Sequence, residues 1–172
     1  MGLGMRSSKP VRRSAPRPPS GPAPEAEVTI AEMGGEGDGL APGPIFASFT
    51  LPGERVRVAG TGERRKTLAI LEPSPERVEP PCPHFGICGG CALQHWRTDA
   101  YLAWKRDRLI GTLARQHIET EVLPIFASPP FSRRRVALHA RQGAKGEARL
   151  GYKIRNSWDL VGIEVCPIAD PK

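Results

Sequence analysis

Ten residues decide how this chain is organised: Cys-Pro-His-Phe-Gly-Ile-Cys-Gly-Gly-Cys at positions 82–91. They hold three of the four cysteines, and 74 residues separate Cys91 from the fourth, Cys166. Three soft ligands on one loop plus a distant fourth can surround a metal centre and join two remote segments. Gly89 and Gly90 allow the backbone to turn tightly around such a centre and to point amide N–H groups at sulfur.

The cysteines allow three interpretations. Disulfide bonds are typical of small secreted proteins, and no secretory signal is recognisable at the start of this sequence. Structural zinc usually shows two short cysteine pairs, whereas only Cys88 and Cys91 form such a pair here. The long, short and remote spacings of Cys82, Cys88, Cys91 and Cys166 are more typical of an iron–sulfur cluster held by all four thiolates, which we favour.

The residues around the loop resemble a known family. Positions 82–95, CPHFGICGGCALQH, are similar to the cluster-binding segment of the bacterial RNA uracil-5-methyltransferases that use S-adenosylmethionine. Upstream, residues 28–71 resemble a TRAM domain, which has an RNA-binding barrel fold. Downstream, three short segments resemble the central domain and the fourth ligand of that family: SRRRVALH at 132–139, Leu-Gly-Tyr at 150–152 and Cys-Pro at 166–167.

This resemblance covers about residues 27–172, the N-terminal portion of a much longer type of protein. It implies the ribosomal-RNA branch of the family, with a [4Fe–4S] cluster on all four cysteines, RNA as the partner and a cytoplasmic location. S-adenosylmethionine would bind only to a methyltransferase domain that follows this segment. Because the chain stops six residues after Cys166, we expect a fragment of a longer enzyme or a natural truncation. The alternatives are a stand-alone RNA-binding iron–sulfur protein without catalysis and, third, a zinc-stabilised interaction module.

The basic charge is concentrated at the start of the chain. The net charge is +7, and residues 1–24 contribute +5 of it with no acidic residue: Arg6, Lys9, Arg12, Arg13 and Arg17. Many prolines and few apolar residues predict that residues 1–26 form a disordered basic tail. Two interpretations stay open, a basic arm that attracts RNA phosphates and a solubilising extension without a specific partner.

The sequence predicts a mainly β fold with some α. Short β-rich segments separated by turns predict a small closed OB-like (TRAM) barrel over residues 27–73, with strands at 28–31, 45–49, 55–58 and 67–71. The glycine-rich run at 34–39 and Pro52-Gly53 would supply the turns between them. A basic triplet lies between the last two strands: Arg64, Arg65 and Lys66. We expect it to form an RNA-binding loop, and the alternative is a solvated turn.

The remainder divides into a linker with the iron–sulfur loop, residues 74–96, and a truncated α+β central domain, residues 97–172. Thr98 is predicted to cap a helix that ends near Gln116. A strand is predicted around residues 131–140, followed by a hairpin that turns at 156–157. A second basic patch is predicted at that strand's entrance, where at most two of its members can face one RNA surface: Arg133, Arg134 and Arg135. For the tryptophans we favour core packing over base stacking: Trp96, Trp104 and Trp158.

Methylation at uracil C5 needs a thiolate that adds to C6, a methyl group from S-adenosylmethionine and a base that removes the C5 proton. All four cysteines are assigned to the cluster, so none remains as the nucleophile. The sequence also lacks a strand–Gly-loop–helix unit for the cofactor. We therefore assign no catalytic residue and expect the 172-residue chain alone to be inactive. No apolar stretch is long enough to cross a membrane, and no obligate protein partner is evident.

Overall fold

The computed structural model describes residues 23–143 and 146–171, and it is mainly β with some α, as the sequence predicts. The predicted basic tail lies almost entirely outside the described residues. One helix, α1 (Thr98–Arg115), separates two groups of strands. The first group is β1 (Glu25–Thr29), β2 (Glu32–Met33), β3 (Asp38–Ala41), β4 (Ile45–Ser48), β5 (Arg55–Ala59) and β6 (Arg64–Glu72). The second group is β7 (His139–Gln142), β8 (Ala148–Lys153) and β9 (Leu160–Val161).

Strands β1 to β6 form one curled sheet, a half-barrel in the order β1-β5-β6-β4-β3-β2. Only the β4–β6 pair among these is parallel. Alternation along β5 buries Val56 and Val58, while Arg55 on the other face bonds to Glu27 and Glu72. The sheet closes over an apolar core, consistent with an OB-like barrel: Ile30, Ala41, Ile45, Ala47, Val56 and Val58.

Three details of the barrel differ from the prediction. The glycine-rich run is not only a turn, because β3 begins at Asp38 and includes Gly39. A Cβ at Gly39 would collide with Thr50 and Ile30, so glycine is required here by close packing. Strand β1 begins at Glu25, two residues before the expected start of the barrel. The basic triplet at 64–66 lies inside β6 and not in a loop, since β6 begins earlier than predicted.

A second apolar cluster joins the barrel to the segment that follows it. Met33 and Leu51 of the barrel pack against Trp96, which is 6% exposed. Tyr101 and Trp104 of α1 pack against the same cluster. The prediction of core packing is therefore confirmed for Trp96 and Trp104, and this contact positions α1 beside the barrel.

Helix α1 begins at Thr98, but Thr98 is its first residue and not its cap. The N-cap position is Arg97, which makes no side-chain capping bond because a guanidinium has only N–H donors and cannot accept a bond from a helix amide. Within the described residues no α1 side chain is fully buried. No helix in residues 23–143 and 146–171 is long and apolar enough to span a membrane.

The second group of strands forms a three-stranded antiparallel sheet in the order β7-β8-β9. The predicted hairpin is confirmed, with Tyr152 opposite Val161 and the turn between. The strand predicted around 131–140 is wrong in extent: β7 begins only at His139, and before it Arg133 forms a single bridge with Ala169. The core-packing prediction is also wrong for Trp158, which is 73% exposed.

Candidate metal centre

The side chains predicted as ligands, Cys82, Cys88, Cys91 and Cys166, line one cavity of about 470 Å³. Each cysteine is half-buried and unpaired with another sulfur. The first three come from the loop before α1, and the fourth comes from the segment after β9. The fold therefore brings both remote segments to the same space.

Backbone contacts hold the segment of Cys166 in place. The amide of Arg133 donates to the carbonyl of Ile168 at 3.0 Å, which fixes the stretch just after the cysteine. On its other side, the backbone N–H of Glu164 donates to Nε2 of His84 at 3.2 Å. His84 lies within the cysteine loop and also lines the cavity, so this bond ties the fourth ligand to the first three.

The β8–β9 hairpin rests directly on the cysteine loop. The amide of Gly89 donates to the carbonyl of Lys153 at 2.9 Å, and the amide of Arg155 donates to the carbonyl of Ile87 at 3.0 Å. A Cβ at Gly89 would lie 3.1 Å from the Lys153 carbonyl oxygen and 3.3 Å from backbone atoms of Arg155. Glycine at this position therefore permits the hairpin to contact the loop closely.

Hydrogen-bond donors are aimed at the sulfurs. The amide of Gly90 donates to Sγ of Cys88 at 3.4 Å, as the paired glycines predict. Burial raises the pKa of the Cys91 thiol, a hydrogen bond with Gln94 lowers it, and the nearby sulfur of Cys166 raises it again, as do the other two cysteines. The thiols are therefore close enough to repel one another when ionised, and a bound cationic centre would relieve that repulsion.

Four thiols are a donor set that can hold either an iron–sulfur cluster or a zinc ion. Sulfurs around a single zinc at about 2.3 Å would lie roughly 4 Å apart. Within the described residues, no three His, Cys, Asp or Glu side chains meet closely enough to hold a single ion. The cavity that the four cysteines line is far larger than the ~30 Å³ share of one water molecule, so it has room for a polynuclear centre. Apolar walls that shield the space include Phe85, Ile163 and Ile168.

Two members of the second basic patch also line this cavity. Arg133 and Arg135 contribute to its wall, whereas Arg134 is not among its lining residues in the described structure. The residues at 133–135 are not part of a strand in the structure, because β7 begins only at His139. Sequence inspection placed these arginines on an RNA surface and did not predict that two of them line the cysteine cavity.

The first basic patch is partly neutralised by acids of the barrel. Arg64 donates to Asp38 at 2.6 Å and to Glu36 at 2.6 Å. The carboxylate of Asp38 is 3% exposed, and its other oxygen accepts from Arg155 of the hairpin at 2.6 Å. Arg64 is therefore part of a clamp between barrel and hairpin. Its two neighbours are placed differently, since Arg65 bonds to a backbone carbonyl and the side chain of Lys66 is exposed.

A buried ion pair, which sequence inspection missed, holds the linker on the barrel. Glu54 is fully buried and accepts backbone N–H bonds from Leu51 at 2.8 Å and Ser74 at 3.1 Å. Arg77 donates two further bonds to the same carboxylate at 2.5 and 2.8 Å. Burial alone would raise the pKa of Glu54, but the bonds from Arg77 and the two amides outweigh it and lower the pKa.

His95 lies next to this pair and close to the cysteine loop. It is 1% exposed, and its ring packs on Phe85 with centroids 5.3 Å apart and on Phe49 at 6.3 Å. Burial, reinforced by the positive charge of Arg77, lowers the pKa of His95 to about 4. The imidazole is therefore neutral at pH 7.

Comparison with known proteins gives three informative relatives, while no protein-family model matches the sequence. An "Uncharacterized RNA methyltransferase" of Caulobacter vibrioides is 55% identical over 151 residues, 85% of this chain. A protein of the same description from Brucella suis is 44% identical over 149 residues, again 85% of this chain. The "23S rRNA (uracil(1939)-C(5))-methyltransferase RlmD" of Pectobacterium atrosepticum is 38% identical over 162 residues, 88% of this chain.

The matches cover most of this chain but a much smaller share of each relative. The chain spans only about a third of each relative, 36% of the length of all three. The resemblance predicted from the cysteine loop is thus confirmed: this chain is homologous to a part of proteins named RNA methyltransferases.

Proposed function

We propose that this chain is the RNA-recognition and [4Fe–4S]-binding part of an S-adenosylmethionine-dependent RNA methyltransferase that forms 5-methyluridine in ribosomal RNA. One observation carries the proposal: all four cysteines line one cavity although they come from two remote segments. The names of the relatives support the reaction and the ribosomal substrate. An OB-like barrel placed before the cavity supports RNA binding.

The cluster would be held by Cys82, Cys88, Cys91 and Cys166. The Gly90 amide and Gln94 would supply donors to the sulfurs, an arrangement that tunes and stabilises thiolate-bound centres. Because its ligands come from both segments, the site would fasten the end of the central domain to the loop beside the barrel.

The RNA surface would use cations that no acid neutralises. In the described part of the chain, Arg133, Arg134 and Arg135 form no ion pair, and neither does Lys66. Exposed cations of this kind attract phosphates without reading sequence. Since Arg133 and Arg135 also line the cysteine cavity, RNA would lie close to the cluster loop.

Methyl transfer would depend on groups outside this chain. S-adenosylmethionine supplies the methyl group when it is bound. Every cysteine of this chain lines the cavity, so none is assigned to the reaction. The contribution of this chain would be to bind the RNA and hold it against the loop that carries Cys82, Cys88 and Cys91.

Metal analysis tests the cluster. Anaerobically purified protein should be brown and contain both iron and acid-labile sulfide. Cys88→Ser and Cys166→Ser should lose both, whereas His117→Gln should keep them, because His117 is exposed and does not line the cavity. Recovery of one zinc per chain without sulfide would contradict the cluster.

Salt-dependent binding tests the RNA surface. Arg134 and Lys66 are suitable targets because neither lines the cavity, so their replacement should leave the cluster intact. Arg134→Gln with Lys66→Gln should weaken binding and reduce the salt slope by about 0.7 per lost contact with single-stranded RNA. Deletion of residues 1–24 is the comparison. If that deletion alone abolishes binding while the double variant binds normally, the folded part does not recognise RNA.

A further inference from the structure

The turn of the β8–β9 hairpin presents an indole ring to solvent. Trp158 is 73% exposed, although burial of a tryptophan side chain is strongly favourable. Its position is nevertheless fixed by the turn. The amide of Ile154 donates to the Asp159 carbonyl at 2.9 Å, and the amide of Ser157 donates to the Ile154 carbonyl at 3.1 Å. The ring is therefore displayed on a defined turn.

A cation lies over one face of this ring. Nζ of Lys153 is 3.7 Å from the centroid of the indole of Trp158. Within the described residues Lys153 forms no ion pair, so its charge remains available. The high exposure of the ring leaves its second face accessible. One face of the indole is thus occupied by a cation and the other can accept a flat group.

The pair lies along a groove of about 590 Å³ between the hairpin and the barrel. Its acids are already partnered, because Glu36 pairs with Arg64 at 2.6 Å and Asp159, beside the groove, lies 3.7 Å from Arg141. The backbone of Gly89 and Gly90 also lines it, so the groove borders the loop that carries the cysteines. An anionic chain could therefore follow this groove without meeting an unpaired carboxylate.

The surroundings distinguish this site from a protein-docking patch. Protein-binding patches are contiguous apolar surfaces, whereas the turn around Trp158 is polar, with Asn156, Ser157 and Asp159 beside it. An isolated aromatic ring with an adjacent cation is typical of single-strand recognition, where a base stacks on the ring and the phosphate meets the cation.

We propose that Trp158 is a stacking platform for an unpaired RNA base and that Lys153 contacts the adjoining phosphate. This inference rests on the RNA binding proposed above and adds a defined subsite to it. The subsite would bind any base, because every base offers a flat face. It would discriminate single-stranded from paired RNA, because a paired base is not free to stack on the ring.

The test compares binding of a short fluorescein-labelled single-stranded RNA with the same RNA annealed to its complement. Trp158→Ala should weaken single-strand binding about 5- to 150-fold, the range expected for one stacked base, and leave duplex binding unchanged. Trp158→Phe should restore most of the affinity, since a phenyl ring also stacks. Phe126→Ala is the matched control, because Phe126 is an aromatic that is 89% exposed outside this groove and its removal should change nothing.

The outcomes separate this inference from the function on which it rests. If the parent binds RNA and Trp158→Ala binds the single strand equally well, the subsite is refuted while the proposed function stands. Equal losses for single strand and duplex would also refute stacking. If the parent binds neither RNA, the proposed function fails and the subsite fails with it. Thermal unfolding of each variant checks the fold, which replacement of so exposed a side chain should preserve.

Discussion

Acid should destabilise this protein through His95 well before its carboxylates are protonated. The imidazole is 1% exposed, and its pKa is lowered to about 4 by burial and by the charge of Arg77. In the unfolded chain the same group titrates near pH 6.5. Between these values the unfolded state binds a proton that the folded state excludes, so stability rises with pH across this window and is lost as pH falls through it.

The size of the effect follows from the two pKa values. Linkage gives a loss of about 2 kcal/mol between pH 7.5 and pH 5, and about 3 kcal/mol by pH 4. Glu54 acts in a separate window. Because its folded pKa is lowered from 4.5, its stabilising contribution is lost only as pH falls below that value. The range from about pH 6.5 to pH 5 therefore reports on His95 with little contribution from Glu54.

Urea unfolding at a series of pH values measures this dependence. The parent should show a falling midpoint at constant m-value from about pH 6.5 to pH 5. His95→Phe keeps a ring between Phe49 and Phe85 but cannot be protonated, so its curve should be nearly flat in this range. His117→Gln, a change at an exposed histidine, should retain the slope of the parent.

The slope, and not the absolute stability, is the decisive quantity. A packing defect in His95→Phe would shift every point by a similar amount and leave the slope difference intact. A slope in His95→Phe equal to that of the parent would refute the assignment of the acid sensitivity to this side chain. So would a flat curve in His117→Gln.

Three further predictions concern the contacts between segments and the methylation reaction. Asp38→Asn should lower the free energy of unfolding, measured in urea, by ~2–3 kcal/mol, because it removes a buried carboxylate from two guanidiniums. The loss is limited because one of those guanidiniums, that of Arg64, is well exposed. An unchanged free energy of unfolding would show that the clamp is unimportant. Gly89→Ala should cost ~1–3 kcal/mol by the same assay, because its Cβ meets backbone of the hairpin. Gly90→Ala, whose Cβ meets only a sulfur at 3.5 Å, should cost less, and equal effects would contradict this argument. Incubation of the 172-residue chain with methyl-labelled S-adenosylmethionine and unmodified ribosomal RNA should leave uracil C5 unlabelled, and label there would show that a cysteine is free for catalysis.

Local sequence patterns predicted the strands and turns whose formation depends on neighbouring residues. Strands β4 and β5 follow from the alternation of apolar and polar residues, and the β8–β9 hairpin follows from the turn at 156–157. The spacing of the cysteines indicated which side chains would share a site. What the spacing could not give is the route by which Cys166 reaches the loop, since that depends on the pairing of Arg133 with Ile168.

Long-range partners account for what was missed. Arg64 looked like a free cation because its partner Asp38 lies 26 positions earlier, in a segment dominated by glycines. Gly39 looked like a turn residue, yet it lies in a strand where Thr50 leaves no room for a Cβ. The exposure of Trp158 was not predictable from composition either, because apolar character favours burial unless the surrounding turn holds the side chain outward.

The separation of the cysteines along the chain has a consequence during synthesis. Cys166 is translated 75 positions after Cys91, which at the usual 5–20 residues per second is a delay of roughly 4–15 s. Throughout that interval the first three thiols lack their fourth partner and remain open to oxidation or to stray metals. Stable loading of the proposed four-thiolate centre would therefore wait until the β8–β9 hairpin has been made and has met the loop. A loaded centre would mark a nascent chain in which both segments have already folded together.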